Sequence, residues 1–398
     1  MNLLRYHINA KEFKCLCITI LLAFCGSIST DIHLASLPAI MQYMHTTKQH
    51  MQQSVTIFFL GVGLSILIYG PLSDRLGRKP IVIFGMIMAC IASFSSAWST
   101  HIGSFLMWRF LQGVGSGVCW GLGRIIVADI LQDERLAAIG SYFSLFLQIS
   151  PLIAPVLGSY IQHAFGWQAN FIVLGGLFFI VLMVFIFFFE ESHRHRSAKA
   201  FNLLSLFKTY RQFFHHRCFV GCIMLTGLAM SANIIYTTTS PFIFQHQFHT
   251  SPIIFGWLTA LTAVAGIVGK LMAPWLIKCL QSKKTLIIGI CLLLCSGIFL
   301  STCIIFFNVN IPIVLIGVAL ASIALSLISG ITMSMALSPF HQTRGSAGAL
   351  YGSFQLMIAF SIGALVSRFP HLGTTTLAMS YVVLGVLAFT CFQLALKK

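Results

Sequence analysis

Apolar stretches as long as a membrane-spanning helix recur from one end of the chain to the other, separated by short polar or Gly- and Pro-containing breaks. A helix needs about 20 mostly apolar residues to cross the hydrocarbon core of a bilayer. The pattern therefore predicts an all-α membrane protein with twelve transmembrane helices. The predicted helices cover residues 15–41, 51–72, 80–98, 103–129, 136–163, 169–190, 217–244, 251–277, 285–307, 311–337, 345–368 and 373–395.

Composition agrees with a chain that is embedded in a lipid bilayer along its whole length. Hydrophobic residues make up 58% of the 398 residues and charged residues only 8%, against about 25% charged residues in soluble domains. The first apolar run contains Asp31 and lacks a small-residue cleavage site, so we interpret it as a retained first helix and not as a signal peptide.

The basic residues indicate how the helices are oriented. With the N-terminus in the cytoplasm, nineteen of the 24 Lys and Arg residues fall in cytoplasmic segments, and only Lys48 and Arg368 fall in outer loops. Basic residues favour the cytoplasmic side of a membrane. The asymmetry predicts an even number of helices and two cytoplasmic termini, and we expect the chain in the inner membrane of a bacterium.

The longest polar stretch divides the predicted helices into two groups of six. Residues 191–216 carry several basic residues among Leu and Phe residues, which is typical of a basic amphipathic segment on a membrane surface. We predict an N-terminal six-helix bundle over residues 1–190, a cytoplasmic linker over 191–216 and a C-terminal six-helix bundle over 217–398.

Other classes of function have less support. The net charge of +16 is not gathered into one arm or interleaved with exposed aromatic residues, as a nucleic-acid-binding surface would require. The 12 Cys lie mostly in apolar runs and the 14 His form no ligand spacing, so we expect no metal and no cofactor. A two-aspartate membrane protease needs paired carboxylates, but Asp31 and Asp129 lie at different depths. The sequence therefore does not predict an enzyme.

The loop between predicted helices 2 and 3 carries the most specific motif, Gly70-Pro-Leu-Ser-Asp74-Arg75-Leu-Gly77-Arg78-Lys79-Pro80. It resembles the G-x-x-x-D-R-x-G-R-[RK] loop of the major facilitator superfamily at each defined position. A preference for basic cytoplasmic loops would explain the cations of the motif but neither Asp74 nor the glycines. The resemblance implies substrate binding between two rocking halves. It also implies that Asp74 caps or pairs across the cytoplasmic junction and stabilises the outward-open state.

Asp31 is singled out because an ionisable residue inside the membrane is costly and functional by default. It lies sixteen residues after Cys15, about 24 Å along the first helix at 1.5 Å per residue. Arg109, near the outer end of the antiparallel helix 4, lies at a comparable depth. We predict that Asp31 and Arg109 pair, directly or through water, as the proton-coupling site. The alternative is a static ion pair that joins helices 1 and 4.

Further segments resemble the bicyclomycin-resistance type (Bcr/CflA) of drug antiporters within this superfamily. They are Gly123-Arg124-Ile-Ile-Val-Ala128-Asp129, Ser240-Pro241-Phe-Ile-Phe-Gln245, and Pro339-Phe340 through Gln355. Ala128 and Ser338 depart from the pattern, which has an Arg and an acidic residue there. At the inner end of helix 4, Asp129 is predicted to pair with Arg75 or Arg78. We expect this pair, the Asp74 loop and Arg124 to form the cytoplasmic gate.

Helix 5 contains Ser150-Pro151-Leu-Ile-Ala154-Pro155-Val-Leu-Gly158-Ser159. This segment is similar to the G-P-x-x-G-G element that marks antiporters, with Ala154 and Ser159 in place of two glycines. Proline and glycine bend a membrane helix. Pro151, Pro155 and Gly158 are therefore predicted to shape a leak-tight interface.

The substrate cavity is the feature that the sequence defines least. Polar side chains in membrane helices tend to face the bundle interior, so Asn233 and Gln355 are candidates for its lining. The other candidates are Tyr142, Tyr236, Trp120 and Met357.

Together these patterns predict a proton-coupled antiporter that exports small amphipathic drugs or related metabolites by alternating access. Its partners would be the small-molecule substrate, protons and the lipid bilayer, and we expect it to function as a monomer. The alternative is an importer or metabolite transporter of the same fold, for instance for an amino acid or a siderophore.

Overall fold

The structure, a computed structural model, describes residues 9–131, 148–192, 210–340, 343–370 and 373–396. In this part of the chain the prediction of an all-α protein with twelve helices is confirmed. The helices are α1 Ala10–Asp31, α2 Lys48–Leu76, α3 Arg78–Ala97, α4 Ile102–Ile130, α5 Ser150–Phe165, α6 Trp167–Phe188, α7 Arg217–Phe242, α8 and α9 within Pro252–Phe306, α10 Ile311–Leu337, α11 Arg344–Val366 and α12 Thr374–Leu396.

Helices α8 and α9 follow one another without a loop. Within the stretch Pro252–Phe306, Gln281 departs from helical geometry, with φ 67° and ψ 160°. We place the end of α8 and the start of α9 at this residue, inside the predicted break between residues 277 and 285. Ten stretches of described residues are long and apolar enough to cross a membrane. The number is below twelve because α8 and α9 count as one stretch and the described part of α5 has only 16 residues.

The first predicted helix is interrupted, which the sequence reasoning did not foresee. Helix α1 ends at Asp31, a 3-10 turn covers Leu34–Ser36, and a short helix follows over Leu37–Tyr43. We call Leu34–Tyr43 the outer segment of α1. Pro38 lies in the first turn of the short helix, where the missing N–H of proline costs no helical hydrogen bond.

The two groups of six helices are each held together by close crossings at glycines. A Cβ on Gly61 of α2 would overlap the carbonyl oxygen of Phe110 in α4, and a Cβ on Gly297 of α9 would overlap the backbone of Val382 in α12. Small residues at such crossings let membrane helices pack by van der Waals contact. The close approach brings the backbones of the paired helices almost into contact.

Close contacts within two pairs of helices help to join the first six helices to the last six. Between α2 and α11, Ser353 Oγ donates a hydrogen bond to the carbonyl oxygen of Gly63. Between α5 and α8, Gly256 lies against the carbonyl oxygen of Pro155 and the side chain of Ser159. The linker predicted between the halves falls mostly in residues 193–209, which lie outside the described part.

The helices run between two faces of the molecule. We call the end that contains the α2–α3 loop the Asp74 face, and the end where α2 begins the Lys48 face. The start of α1 lies at the Asp74 face, where Lys11 pairs with Glu190 after the end of α6. The sequence predicts that the Asp74 face is cytoplasmic.

Candidate functional site

Asp31 lies where α1 is interrupted, and neighbouring helices hold this interruption in place. The carboxylate is half-buried and has no ion pair within the described residues. Gly158 of α5 packs against Ile32, and a Cβ at this glycine would overlap the Ile32 carbonyl oxygen. From α6, Asn170 Nδ2 donates to the carbonyl oxygen of Gly158 (3.0 Å) and to Ser36 Oγ (2.8 Å). The antiporter-like element of α5 therefore contacts the residues that follow Asp31.

The prolines of α5 lie at two different places in this helix. Pro151 lies in its first turn and Pro155 lies inside it. An internal proline removes a backbone hydrogen bond and bends the helix. The carbonyl oxygen of Pro155 faces Gly256 of α8, so the bent segment forms part of the contact between the first and the last six helices.

Arg109 is completely buried in α4, with 0% of its surface exposed. Its Nε donates to the carbonyl oxygen of Ser54 at 3.3 Å, and its Nη1 donates to Gln112 Oε1. The guanidinium carbon lies 4.6 Å from the ring centre of Phe58 and 5.9 Å from that of Phe171. Polar and cation–π contacts of this kind stabilise a buried guanidinium. Its Nη2 has no hydrogen-bond partner.

His33 is the neighbour of Arg109 that the sequence reasoning missed. Its side chain is completely buried, neither ring nitrogen has a hydrogen-bond partner, and its ring lies 5.5 Å from Phe171. It is close enough to Arg109 for an electrostatic interaction. Its position two residues after Asp31 was the available signal, since a His in a membrane segment is rare and functional by default.

The structure does not bring Asp31 and Arg109 into direct contact. Within the described residues no direct ion pair joins them, and Ser54, Gln112 and the faces of Phe58 and Phe171 surround the guanidinium. A pair through water stays a prediction. Similar depth along two helices does not determine whether two side chains face each other. His33 follows Asp31 by two residues in the chain and is close enough to Arg109 for an electrostatic interaction.

Arg78 is the centre of a polar network at the Asp74 face. Its guanidinium donates to Asp74 Oδ1, to Ser73 Oγ and, at 3.0 Å, to Asp129 Oδ2. The Arg78 side chain is only 5% exposed. Since Asp129 lies on α4, this one side chain ties the α2–α3 loop to the end of α4.

Helix α6 joins the same network through its C-terminal end. The carboxylate of Glu191 accepts hydrogen bonds from the backbone N–H groups of Arg78 and Lys79, at 2.9 and 3.1 Å. Lys79 Nζ donates to the carbonyl oxygens of Ile186 and Phe189. A carboxylate at the start of α3 and an ammonium at the end of α6 both complement the helix dipoles.

Other residues of the loop motif differ in their environment. Gly77 has φ 101°, a conformation that is strained for residues with a Cβ. Gly70 faces α11, where a Cβ would lie 3.9 Å from that of Ala349. Arg75 is exposed. The ion pair of Asp74 stays within the α2–α3 loop, and no ion pair of Asp74 to the last six helices exists in the described part of the chain.

The two halves meet at the Lys48 face through the outer segment of α1. Gln245 Nε2, in the turn that follows α7, donates to the carbonyl oxygen of Ala35 at 3.0 Å. A cavity of about 320 Å³ lies at this face, between the start of α2 and the end of α7. It is lined by Lys48, Gln52, Thr239, Phe242, Ile243, His246, Gln247, Phe369, Pro370, Gly373 and Thr376.

The predicted cavity residues that the structure describes lie in different surroundings. Asn233 and Tyr236 line a space of about 10 Å³ between α7, α10 and α12, which is large enough for one water molecule only. Gln355 is half-buried. Met357 packs against Gly63 in the α2–α11 contact.

Trp120 and Tyr142 are the two remaining residues that were predicted to line the substrate cavity. The indole nitrogen of Trp120 donates to the carbonyl oxygen of Gly26 at 3.3 Å, so its ring lies against α1. Tyr142 lies outside the described residues. No group of His, Cys, Asp and Glu within the described ranges could hold a metal ion.

Comparison with known proteins agrees with the fold and with the loop motif. The family model of the Major Facilitator Superfamily matches residues 19–364. A "Multidrug resistance protein MdtL" of Shewanella oneidensis is 27% identical over 363 residues, which cover 85% of this chain and 89% of that protein. An MdtL of Escherichia fergusonii is 28% identical over 326 residues, covering 82% and 81%.

A solved structure shares the whole architecture. The xylose transporter XylE from E. coli, in a partially occluded inward-open conformation, superposes with a TM-score of 0.78 at 14% identity and covers 98% of both chains. A D-xylose-proton symporter gives a TM-score of 0.76 at 13% identity, covering 95% of this chain and 97% of that one. Sequence and fold agree that this chain is a multi-pass membrane transporter that belongs to the Major Facilitator Superfamily.

Proposed function

We propose that this chain is a proton-coupled antiporter that exports small amphipathic compounds by alternating access. The observation that carries the proposal is the position of Asp31. This half-buried carboxylate ends α1 inside the bundle, without an ion pair among the described residues, against the antiporter-like element of α5. A carboxylate that lacks a fixed cation can bind and release a proton.

The interruption of α1 supports a link between this proton and the movement of the halves. The residues after Asp31 touch both groups of helices, because Ile32 packs on Gly158 of α5 and Ala35 accepts a hydrogen bond from Gln245 after α7. Opening the Lys48 face would break the hydrogen bond between Gln245 and Ala35. The protonation state of Asp31 would then bias which face is open.

The Asp74 face supplies the gate of this proposal. Arg78, Asp74 and Asp129 hold the α2–α3 loop on α4, with Gly70 beside α11. In the predicted orientation this face is cytoplasmic, in a bacterial inner membrane. The halves 1–190 and 217–398 would rock about the contacts α2–α11 and α5–α8, within a monomer.

The direction of transport is supported by the relatives and by α5. The relatives cited above are named multidrug resistance proteins, and the motifs resemble those of Bcr/CflA antiporters. Pro151, Pro155 and Gly158 occupy the positions of the antiporter element. A transporter that exchanges a cytoplasmic compound for an external proton would remove such compounds from the cell.

Everted membrane vesicles test the direction. Vesicles that contain the chain, acidified inside, are expected to accumulate an amphipathic dye, with an anionic and a cationic dye tested side by side, and to lose it when the pH gradient is collapsed. Vesicles from cells without the chain give the baseline. Dye uptake that needs the opposite gradient would identify an importer, and uptake that ignores the gradient would remove the proton coupling.

A further inference from the structure

Two cations of the membrane helices make no contact with Asp31 or Arg78 in the described part of the chain, although the sequence analysis placed one of them, Arg124, in the gate. Arg124 lies on α4, six residues before its end at the Asp74 face, and Lys270 lies on α8, eleven residues before Gln281. At 1.5 Å per residue these positions are about 9 Å and about 16 Å from the ends of their helices. Lys270 is thus inside the hydrocarbon depth and Arg124 near its boundary.

Both side chains face the space between the first six and the last six helices. Arg124 Nη1 lies 4.0 Å from Sδ of Met333 in α10. One turn before Lys270, a Cβ on Gly266 would lie 3.8 Å from Oγ of Ser326 in α10 and 4.0 Å from Nε2 of Gln148, two residues before α5. Arg124 is exposed and Lys270 is half-buried. Since each helix has a contact to the opposite half beside its cation, this accessible surface lies between the halves.

Helix α11 leaves room next to these cations. Tyr351 of α11 is a neighbour of Arg124, and its hydroxyl forms hydrogen bonds with Thr226 and Thr332. Beside it, a Cβ on Gly352, or on Gly348 one turn earlier, would meet no atom within 4 Å. The cleft therefore has space for a ligand at the level of the two cations.

Neither cation has a carboxylate partner in the described part of the chain. The ion pairs there involve Lys11 and Arg78 only, and the charges of Arg124 and Lys270 repel each other. A charge away from bulk water requires a counter-charge or hydrogen-bond partners. An anion between Arg124 and Lys270 would relieve the repulsion and supply the missing partner.

We propose that Arg124 and Lys270 form a binding site for the carboxylate, or an equivalent anionic group, of the transported compound. This inference rests on the proposed function, since it places the path of the compound between the halves, and it narrows the substrate class to amphipathic anions. One cation comes from each half. The bound anion would thus attract both halves and favour closure at the Asp74 face.

Matched acids and esters isolate the contribution of charge. Binding of benzoate and 2-naphthoate, each beside its methyl ester, is measured by titration calorimetry on the full chain in detergent micelles, with empty micelles as the blank. A hydrogen bond to a charged group is stronger than one between neutral groups, so each acid is expected to bind about tenfold more tightly than its ester or better. Arg124→Gln and Lys270→Gln should each weaken binding of the acids about tenfold and leave binding of the esters unchanged.

Three controls keep the result interpretable. Lys278→Gln, at an exposed position of the same helix α8, should keep the preference for the acids. Arg124→Lys and Lys270→Arg retain the charge and should bind the acids even if the Gln variants fold poorly. Equal binding of acids and esters, no binding of either acid, or an unchanged preference in the Gln variants overturns the inference. If one of these results is found but the vesicles still take up dye along the pH gradient, the proposed function stands and only this inference fails. If the acids bind as expected but no gradient-driven transport occurs, only the proposed function is contradicted.

Discussion

A charged side chain inside a membrane bundle needs partners, and Arg109 finds them in a carbonyl oxygen, an amide and two aromatic rings. The sequence identified the residue, because an Arg in an apolar helix is costly. It could not identify these partners. Depth follows from counting residues along a helix, but the direction of a side chain depends on how each helix is rotated about its axis. Gln112, three residues further along α4, was the partner that helical periodicity could have supplied.

Replacing Arg109 by Met separates a functional role from a structural one. Met keeps much of the side-chain volume but leaves the buried Gln112 Oε1 without its donor, which costs about 1 to 3 kcal/mol. We expect Arg109→Met to fold with a lower thermal unfolding midpoint than the unchanged chain and to lose gradient-driven dye uptake by about tenfold or more. Full uptake by Arg109→Met would reduce the role of this residue to packing.

At the scale of elements, the main departure from the sequence prediction is the interruption of α1. Hydropathy alone predicted one helix over residues 15–41, because apolar residues continue through the interruption. Pro38 was a signal for a new helix start, but a proline is compatible with a kinked continuous helix as well. The contacts that select the interrupted form come from Gly158 and Asn170, which are more than a hundred residues away in the chain.

Gly158 provides a direct test of this packing. A methyl group at this position would overlap the Ile32 carbonyl oxygen, and overpacking of this kind costs about 1 to 3 kcal/mol. Gly158→Ala is therefore expected to lower the thermal unfolding midpoint in micelles and to reduce dye uptake. Gly176→Ala in α6 is the matched control, because a Cβ there meets nothing within 4 Å. Equal midpoints for the two variants would contradict the packing described here.

The α2–α3 loop is the element whose residues the sequence predicted best. The motif supplied Asp74 and Arg78, and the helix 4 segment supplied Asp129, but Glu191 was not predicted. Arg78 and Arg75 look equivalent in sequence and differ in the structure. Arg78 is almost buried between two aspartates and Arg75 is exposed. The sequence could not predict which arginine is buried in the ion pairs, because this depends on the position of Asp129 at the end of α4.

This difference predicts unequal effects of the two arginines on stability. Arg78→Gln leaves Asp74 and Asp129 without their cation, and an unsatisfied buried polar group costs about 1 to 3 kcal/mol. Its unfolding midpoint should fall clearly below that of Arg75→Gln, measured in the same micelles. A larger loss for Arg75→Gln would show that Arg78 does not hold the network together.

At the scale of the whole molecule, the sequence predicted the helix number and the superfamily because both depend on local patterns. Apolar runs of bilayer length predicted the helices, and the loop motif predicted the superfamily, which the family model then matched. The substrate path depends instead on which face of each helix points inward. Asn233 and Tyr236 were chosen for polarity but line a space of about 10 Å³, while Lys270 on α8 was not chosen for the cavity.

The central claim is that Asp31 carries the proton that is exchanged for substrate. Glu190 is the matched control for its substitution, because it is fully exposed after α6 and the hydrogen bond from Lys11 lowers its pKa below the ordinary value. Glu190 thus stays ionised near neutral pH and cannot serve as a proton carrier there. Asp31→Asn and Glu190→Gln both remove one carboxylate and keep the shape of the side chain.

The most direct measurement is proton release from acid-loaded everted vesicles when a transported dye is added, followed with an internal pH indicator. The unchanged chain and Glu190→Gln are expected to release protons as the dye enters. Asp31→Asn is expected to release none above the baseline of vesicles without the chain, while still exchanging labelled dye for unlabelled dye. Proton release by Asp31→Asn equal to that of Glu190→Gln would contradict the account.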